Sequence, residues 1–294
     1  MNKVGFIGVG IMGKSMVRNL MKAGFELHIY ARTKSKVEDV IGEGAQFHES
    51  IKDCVQDCDA VITIVGFPQD VEEVYFDEGN ILDSAKEGAY LIDMTTTSPQ
   101  IAEKIYAEGT KRGFHVMDAP VTGGDTGAKA GTLSILVGGE KEDYEACMPL
   151  FKAMGTNINY QGKAGCGQHC KLANQIMIAG TLSGVCEALT YAKEQGLDPE
   201  VFMKSVATGA AGSKQLDTFG PKILKDDYAP GFFMKHFIKD MKLALIEANR
   251  KGLSLDVLSM VLANYEELEQ EGYGDLGTQA LMKFYDEEHR NTEE

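Results

Sequence analysis

"GFIGVGIMGK", residues 5–14, sets Gly8, Gly10 and Gly13 in the spacing G-x-G-x-x-G. The apolar run Lys3–Val9 reads as a buried strand, and Met12–Lys22 carries an amphipathic helical pattern. In a strand–turn–helix, the first two glycines permit a tight turn and close approach of a pyrophosphate. The third lets the helix pack on the strand, and the helix N-terminus faces the phosphates. Gly8, Gly10, Ile11, Met12 and Gly13 are therefore the expected contacts of a dinucleotide. Without the flanking strand and helix the same glycines would amount to a structural turn.

The rest of the first half repeats the alternation. Leu27–Tyr30, Ala60–Val65, Tyr90–Asp93, Phe114–Asp118 and Leu133–Val137 read as strands. Lys34–Ile41, Val71–Phe76, Pro99–Arg112 and Lys141–Met154 read as helices. Continuous apolar strands alternating with helices predict an α/β, doubly wound, mainly parallel sheet covered on both faces. After Tyr160 no further strand is expected. A long helix is predicted over 166–195, stopped by Gly196, and Asp198-Pro199 restarts a helix with an N-cap and a proline at the first position. Further helices are expected over 236–251, 255–270 and 277–288, so residues 1–162 form the α/β domain and 163–294 an all-α domain. The acidic end, "DEEHRNTEE", reads as a solvated tail.

Composition narrows the function classes. Of the 294 residues, 44% are hydrophobic and 25% charged, the balance of a globular chain. No uninterrupted apolar run approaches the roughly 20 residues of a membrane span. The N-terminus lacks the pattern of a signal peptide, so the expected location is cytoplasmic. A net charge of −15 argues against nucleic acid or acidic membranes as partners, and an anionic substrate needs a local positive site. The six cysteines read as reduced thiols. Cys54/Cys58 and Cys166/His169/Cys170 lack the spacing of a zinc knuckle, so no metal is expected.

The choice of nucleotide turns on the end of the second strand, "IYARTKSK". Ala31 stands where an acid would select the ribose 2′-hydroxyl of NAD, and Arg32, Thr33, Lys34 and Lys36 follow. A missing carboxylate beside a cationic cluster suits a 2′-phosphate, with Arg32, Thr33 and Lys36 as its contacts. NADP is favoured over NAD.

Three later stretches carry the chemistry. "DMTTTSP" (93–99) ends a strand, where open sheets place ligands. In "DAPVTGGDTGAKAGTLSILVGG" (118–139), Thr122, Gly123 and Gly124 offer a hydroxyl and adjacent N–H groups to a carboxylate. In "GCGQHCKLANQ" (165–175), Lys171 precedes Asn174 by three residues and Gln175 by four, which puts an amide beside the ammonium on one helical face.

These stretches, together with "PGFFMKHFIKD", resemble the β-hydroxyacid dehydrogenases of the wider 6-phosphogluconate dehydrogenase superfamily. That group includes 3-hydroxyisobutyrate dehydrogenase, tartronate semialdehyde reductase and the glyoxylate/succinic semialdehyde reductases. The resemblance runs nearly end to end and implies a Rossmann-type domain followed by a helical substrate and oligomerisation domain. It implies Lys171 as catalytic acid/base, with Asn174 holding the substrate or the lysine. Thr122, Gly123, Gly124 and Gln175 would bind the substrate, with Phe232 and Asp240 as pocket residues. Val65, Thr96 and Lys239 would line the nicotinamide cofactor.

The sequence departs from the family at Thr122, where serine is usual, and at Gln175, where asparagine is common. Which of Asn174 and Gln175 reaches the substrate stays open. Gly66-Phe67-Pro68 is less polar than usual at the cofactor wall. Chemically, reduction of an aldehyde by hydride leaves an oxygen that must be protonated. A buried lysine near a second cation such as Lys239 would have its pKa lowered towards about 7–8, where acid/base work is efficient.

The expected function is an NADP-dependent oxidoreductase of short semialdehydes or 2-oxo acids and their hydroxy acids, working as a homodimer or homotetramer. An NADPH-dependent imine reductase and a non-catalytic NADP-binding scaffold are the alternatives. Lys171 speaks against the first, and Lys171 with its neighbouring amide against the second.

Overall fold

The computed structural model describes residues 1–285, and the chain divides into two compact units between Lys171 and Leu172. The acidic end and the last residues of the helix expected over 277–288 lie outside the described residues.

The first unit opens with β1 (Lys3–Ile7), α1 (Ile11–Lys22), β2 (Glu26–Tyr30), α2 (Glu38–Gly42), β3 (Gln46–Phe47), α3 (Ile51–Val55) and β4 (Ala60–Thr63). It continues with α4 (Pro68–Phe76), α5 (Ile81–Ser84), β5 (Tyr90–Asp93), α6 (Pro99–Lys111), β6 (His115–Asp118), β7 (Val121–Thr122) and α7 (Gly124–Ala130). β8 (Leu133–Gly139), α8 (Lys141–Ala146), α9 (Met148–Met154), β9 (Gly155–Gly162) and the first turns of α10 (Cys166–Glu194) complete it.

One sheet runs β3-β2-β1-β4-β5-β6-β8-β7, with β9 paired to β8. The order reverses between β1 and β4, the place where open α/β sheets leave a crevice for ligands. Alternate residues of the central strands serve opposite faces. Val4, Phe6, Ala60, Ile62, Ile92 and Met117 join the core that holds α1 residues Met16, Val17 and Leu20. Ile7, Val61, Leu91 and Val116 join the core that holds Val55, Val71, Tyr75 and Ile105 from α3, α4 and α6. Burial on both faces explains why these strands read as unbroken apolar runs.

The sheet is parallel from β3 to β6, while β8 runs antiparallel to β6 and β7. The sequence did not announce β3, β7 or β9. The first two are two residues long, and β9 is a mostly exposed edge strand, "GTNINYQG", with no apolar alternation to mark it.

The second unit, from Leu172 onward, contains the rest of α10, α11 (Pro199–Val206), α12 (Lys214–Ile223), α13 (Met234–Arg250) and α14 (Asp256–Gln270). Its core gathers Leu182, Cys186, Leu189, Phe237, Met241, Val261 and Tyr265. The Asp198 side chain caps α11 by accepting from Val201 N, and Pro199 sits in the first turn, as the sequence predicted. α12 was not anticipated, because Pro221 lies within it; Ser213 caps its start by accepting from Leu216 N. The helix expected after Gly277 is a 3₁₀ segment over Thr278–Tyr285. By length and composition alone α10 is long and apolar enough to cross a membrane, a test that the buried core helix of a globular unit also meets. Its apolar residues Leu182, Cys186 and Leu189 are core residues of the second unit.

The expected boundary at 162/163 falls before α10, whereas the units divide inside that helix. The physical reason is a buried carboxylate. Asp118, at the end of β6, accepts from Gly165 N and Gln168 N, both at 2.8 Å, and so fastens the first turn of α10 to the sheet. Glycine is required around it. A Cβ on Gly138 would lie 2.5 Å from Asp118 Oδ1, and one on Gly167 would lie 2.4 Å from Leu136 O. Asp118→Ala leaves two buried N–H donors without a partner and is expected to cost about 3–5 kcal/mol in urea unfolding. Asp118→Asn, which keeps an acceptor oxygen, should cost less. Equal stability of the alanine variant and wild type would contradict this anchoring.

Candidate active site

The glycine loop forms as the sequence requires. Gly8 has φ +98°, and a Cβ there would lie 2.1 Å from Ile64 O. A Cβ on Gly13 would lie 2.2 Å from Gly8 O, so helix and turn are in backbone contact. At Gly10 the situation is opposite: nothing lies within 4 Å of a built Cβ. Gly10 is the N-cap of α1 and supplies no side-chain cap, which leaves the first N–H groups of the helix open to an anion. Ile11 is exposed and Met12 half-buried beside it. An open cradle over uncapped N–H groups fits a dinucleotide pyrophosphate.

Beyond β2, Arg32, Thr33 and Lys36 are exposed, around the single 3₁₀ turn Lys34–Lys36. Arg32 is ion-paired at 3.2 Å with Asp70 of α4, whose other carboxylate oxygen accepts from Phe67 N at 2.9 Å. The Gly66-Phe67-Pro68 wall, apolar in sequence, is thus ordered by an acid two residues beyond it.

The carboxyl ends of β4, β5 and β6 carry a polar row. Parallel registry pairs Thr63 with Asp93 and Asp93 with Asp118. Thr63 Oγ1 donates to Asp93 Oδ1 at 2.8 Å, and Thr95 N donates to the same oxygen at 3.1 Å. Thr95 Oγ1 accepts from Val65 N at 3.0 Å, so the row also places Val65. Thr96 is half-buried, with Thr95 and Thr97 buried on either side. Thr122 ends β7; Gly123, at φ +128°, and Gly124, at φ +64°, turn the chain into α7, and both glycines are exposed. Lys171 is only 7% exposed, in the second turn of α10.

The second unit holds the remaining predicted residues. Asn174 Nδ2 donates to Gln175 Oε1 at 2.8 Å, and Gln175 Nε2 donates to Asp240 Oδ2 at 2.7 Å. Lys239 Nζ lies 3.1 Å from Asp240 Oδ1. Gln175 and Asp240 are buried, whereas Asn174 is half-buried and Phe232 exposed, its ring against His236 and Phe237. Four predicted residues, Asn174, Gln175, Lys239 and Asp240, therefore form one chain of contacts.

Sequence reasoning gave no role to Thr63, Asp93, Thr95, Asp118 or Gln168. The available signal was an aspartate closing each of two apolar strands, at Asp93 and Asp118. Cys54 Sγ donates to His28 O and Cys58 Sγ to Cys54 O. Burial pushes the Cys58 thiol up to about 12.

Two measurements follow from this geometry. Gly10→Ala adds a methyl where the fold has room, so its melting temperature should stay within about 2 °C of wild type while dinucleotide affinity drops about tenfold or more. Equal affinity in a titration would place the pyrophosphate elsewhere. The second concerns Asp93. Burial raises its carboxyl to about 6, against hydrogen bonds from Thr95 and Thr63 that lower it. Between about pH 4 and 6 the folded chain keeps a proton that the unfolded chain has lost. The stability from this group is full below that window and is lost as pH rises through about 6, by roughly 3 kcal/mol. Asp93→Asn cannot ionise, so its urea stability relative to wild type should improve from pH 4 to pH 8; a constant difference would contradict the shift.

Comparison with known proteins agrees with this arrangement. Residues 3–162 match the family described as the NAD binding domain of 6-phosphogluconate dehydrogenase. Residues 165–285 match the family described as NAD-binding of NADP-dependent 3-hydroxyisobutyrate dehydrogenase. YkwC of Bacillus subtilis, an uncharacterized oxidoreductase, is 49% identical over 282 residues, 96% of this chain and 98% of its own. The probable 3-hydroxyisobutyrate dehydrogenase-like 1, mitochondrial, of Arabidopsis thaliana is 44% identical over 281 residues, 95% of this chain and 84% of its own. Among solved structures, the 3-hydroxyisobutyrate dehydrogenase of Mycobacterium tuberculosis with L-serine is similar at TM-score 0.88 and 26% identity, covering 96% of this chain and 98% of that one. The chain belongs to the β-hydroxyacid dehydrogenase family of NAD(P)-dependent oxidoreductases.

Proposed function

We propose that this chain is an NADP-dependent oxidoreductase interconverting a short semialdehyde or 2-oxo acid and the corresponding hydroxy acid, with Lys171 as the general acid/base. The observation that carries this reading is a lysine buried to 7% exposure on a helix whose first turn is fastened to the sheet by Asp118. Burying an ammonium is costly, and a fixed position near reacting atoms is what such a cost provides.

The glycine loop and the uncapped start of α1 hold the pyrophosphate. The bound nicotinamide supplies hydride in reduction and takes it in oxidation. Lys171 Nζ gives its proton to the carbonyl oxygen as that oxygen gains charge, and takes the proton from the hydroxyl in the reverse direction. The Thr122 hydroxyl and the N–H groups of Gly123 and Gly124 bind the substrate carboxylate. The amide of Gln175 is engaged on both sides, by Asn174 and by Asp240, so Asn174 is the residue assigned to the substrate. Gln175 and Asp240 hold Asn174 and Lys239; Thr96 and Lys239 are assigned to the nicotinamide, and Phe232 to the substrate.

The preference for NADP rests on Ala31, which leaves no acid for a 2′-hydroxyl, and on Arg32, which holds the carboxylate of Asp70. A 2′-phosphate, with more charge and three oxygens, competes well for that guanidinium. A homodimer or homotetramer is part of the same reading. It is supported by the exposed apolar side chains Met177, Ile246, Val257 and Met260 on helices of the second unit.

The test is nicotinamide absorbance on mixing the protein with NADPH and glyoxylate or the succinic, tartronate or methylmalonate semialdehyde. Wild type should consume NADPH with at least one of them. Lys171→Ala should lower kcat by about 10²–10⁴-fold while still binding NADPH. Arg32→Ala should lower kcat/KM for NADPH more than for NADH. Tight NADPH binding with no carbonyl turnover would instead favour a scaffold or an imine reductase, and cyclic imines would separate those two.

A further inference from the structure

Thr96 lies between two residues whose backbones are held by one side chain. Gln168 Nε2 donates to Thr95 O at 2.7 Å, and Thr97 N donates to Gln168 Oε1 at 3.0 Å. Gln168 is 0% exposed, so neither bond competes with water. Its own N–H donates to Asp118 Oδ2 at 2.8 Å, which ties the same residue to β6. A primary amide presents one donor and one acceptor at the same end, the pattern that Thr95 O and Thr97 N demand. The arrangement reproduces the pairing a neighbouring strand would give, starting two residues beyond the end of β5.

Gln168 also stands three residues before Lys171, on the face next to it along α10. We infer that Gln168 is a positioning residue: its amide fixes the Thr95–Thr97 loop to the helix that carries Lys171, and so fixes Thr96 against the proton donor. The inference rests on the reading of Lys171 and Thr96 given above. Displacement of a reacting group by about 1 Å costs on the order of 10²-fold in rate, so a clamp of this kind is felt in kcat.

The test uses the full chain in three forms: wild type, Gln168→Met and Gln168→Glu. All three are checked for cooperative unfolding, and kcat is expressed per folded molecule. Gln168→Met fills the space but offers neither bond; its kcat should fall about 10–100-fold, with KM for NADPH changed less than about threefold. Gln168→Glu keeps an acceptor for Thr97 N. Ionised, it opposes Thr95 O; protonated, its O–H donates there and the pattern of the amide is restored. The charged groups around it are Asp118 at its N–H, Asp93 beneath Thr95, and Lys171 one turn along. Burial and the two carboxylates favour the protonated acid, against the pull of the lysine. The ratio of kcat for Gln168→Glu to wild type should therefore rise as pH falls, while the ratio for Gln168→Met stays flat.

A purely structural role predicts variants that melt earlier but turn over at the wild-type rate per folded molecule, and that result overturns the inference. So does a Gln168→Glu ratio that is constant with pH. Absence of turnover in wild type overturns the parent reading and the inference with it, which distinguishes the two failures.

Discussion

The structure of the site depends on a carboxylate taken out of water. Asp118 closes β6 and accepts the N–H groups of Gly165 and Gln168 at the start of α10. Burial raises its carboxyl above the ordinary range even though both N–H groups pull it down, so desolvation is the larger effect. The cost is offset by what it orders: two otherwise orphaned helix donors, and a helix N-terminus held to the end of a rigid strand. Lys171 inherits its position in the first unit from that bond pair.

Asp118 is one member of a row. Thr63, Asp93 and Asp118 are register neighbours at the carboxyl ends of three parallel strands. A sheet built for stability alone would carry valine or isoleucine there, as it does at Ile62 and Ile92 one position earlier. Placing polar groups in that layer converts the ends of the strands into fixed donors and acceptors for the segments that follow. Val65, the Thr95–Thr97 loop and the first turn of α10 are each attached to it. The second unit uses the same device on a smaller scale, where buried Asp240 orders Gln175 and, through it, Asn174.

What was legible in the sequence follows from which interactions are local. Gly8 and Gly13 were readable because a positive φ and a helix–turn backbone contact admit only glycine, and those demands repeat wherever a dinucleotide loop occurs. The apolar strands β1, β4 and β5 were readable because burial on both faces leaves no polar position. The roles proposed for Lys171, Asn174 and the Thr122 segment rest on resemblance, since a lone lysine on a helix has no distinguishing pattern. Gln168 escaped notice for a different reason: its partners Thr95 and Thr97 are 73 and 71 residues away in the chain. The bond between Gln175 and Asp240 was equally out of reach of the sequence, because the two residues lie 65 positions apart. α12 was hidden by Pro221, and β9 by its exposed, polar composition.

The most direct test of the central claim, that Asp118 fastens α10 to the sheet, is amide hydrogen exchange at Gly165 and Gln168. An ordinary helix start frays, and its first N–H groups exchange rapidly because they lack acceptors. Bonded to a buried carboxylate, these two should exchange as slowly as amides of the central strands β4 and β5, opening only with the first unit as a whole. Exchange at the rate of a frayed helix end would contradict the account, because Lys171 would then stand on a mobile turn.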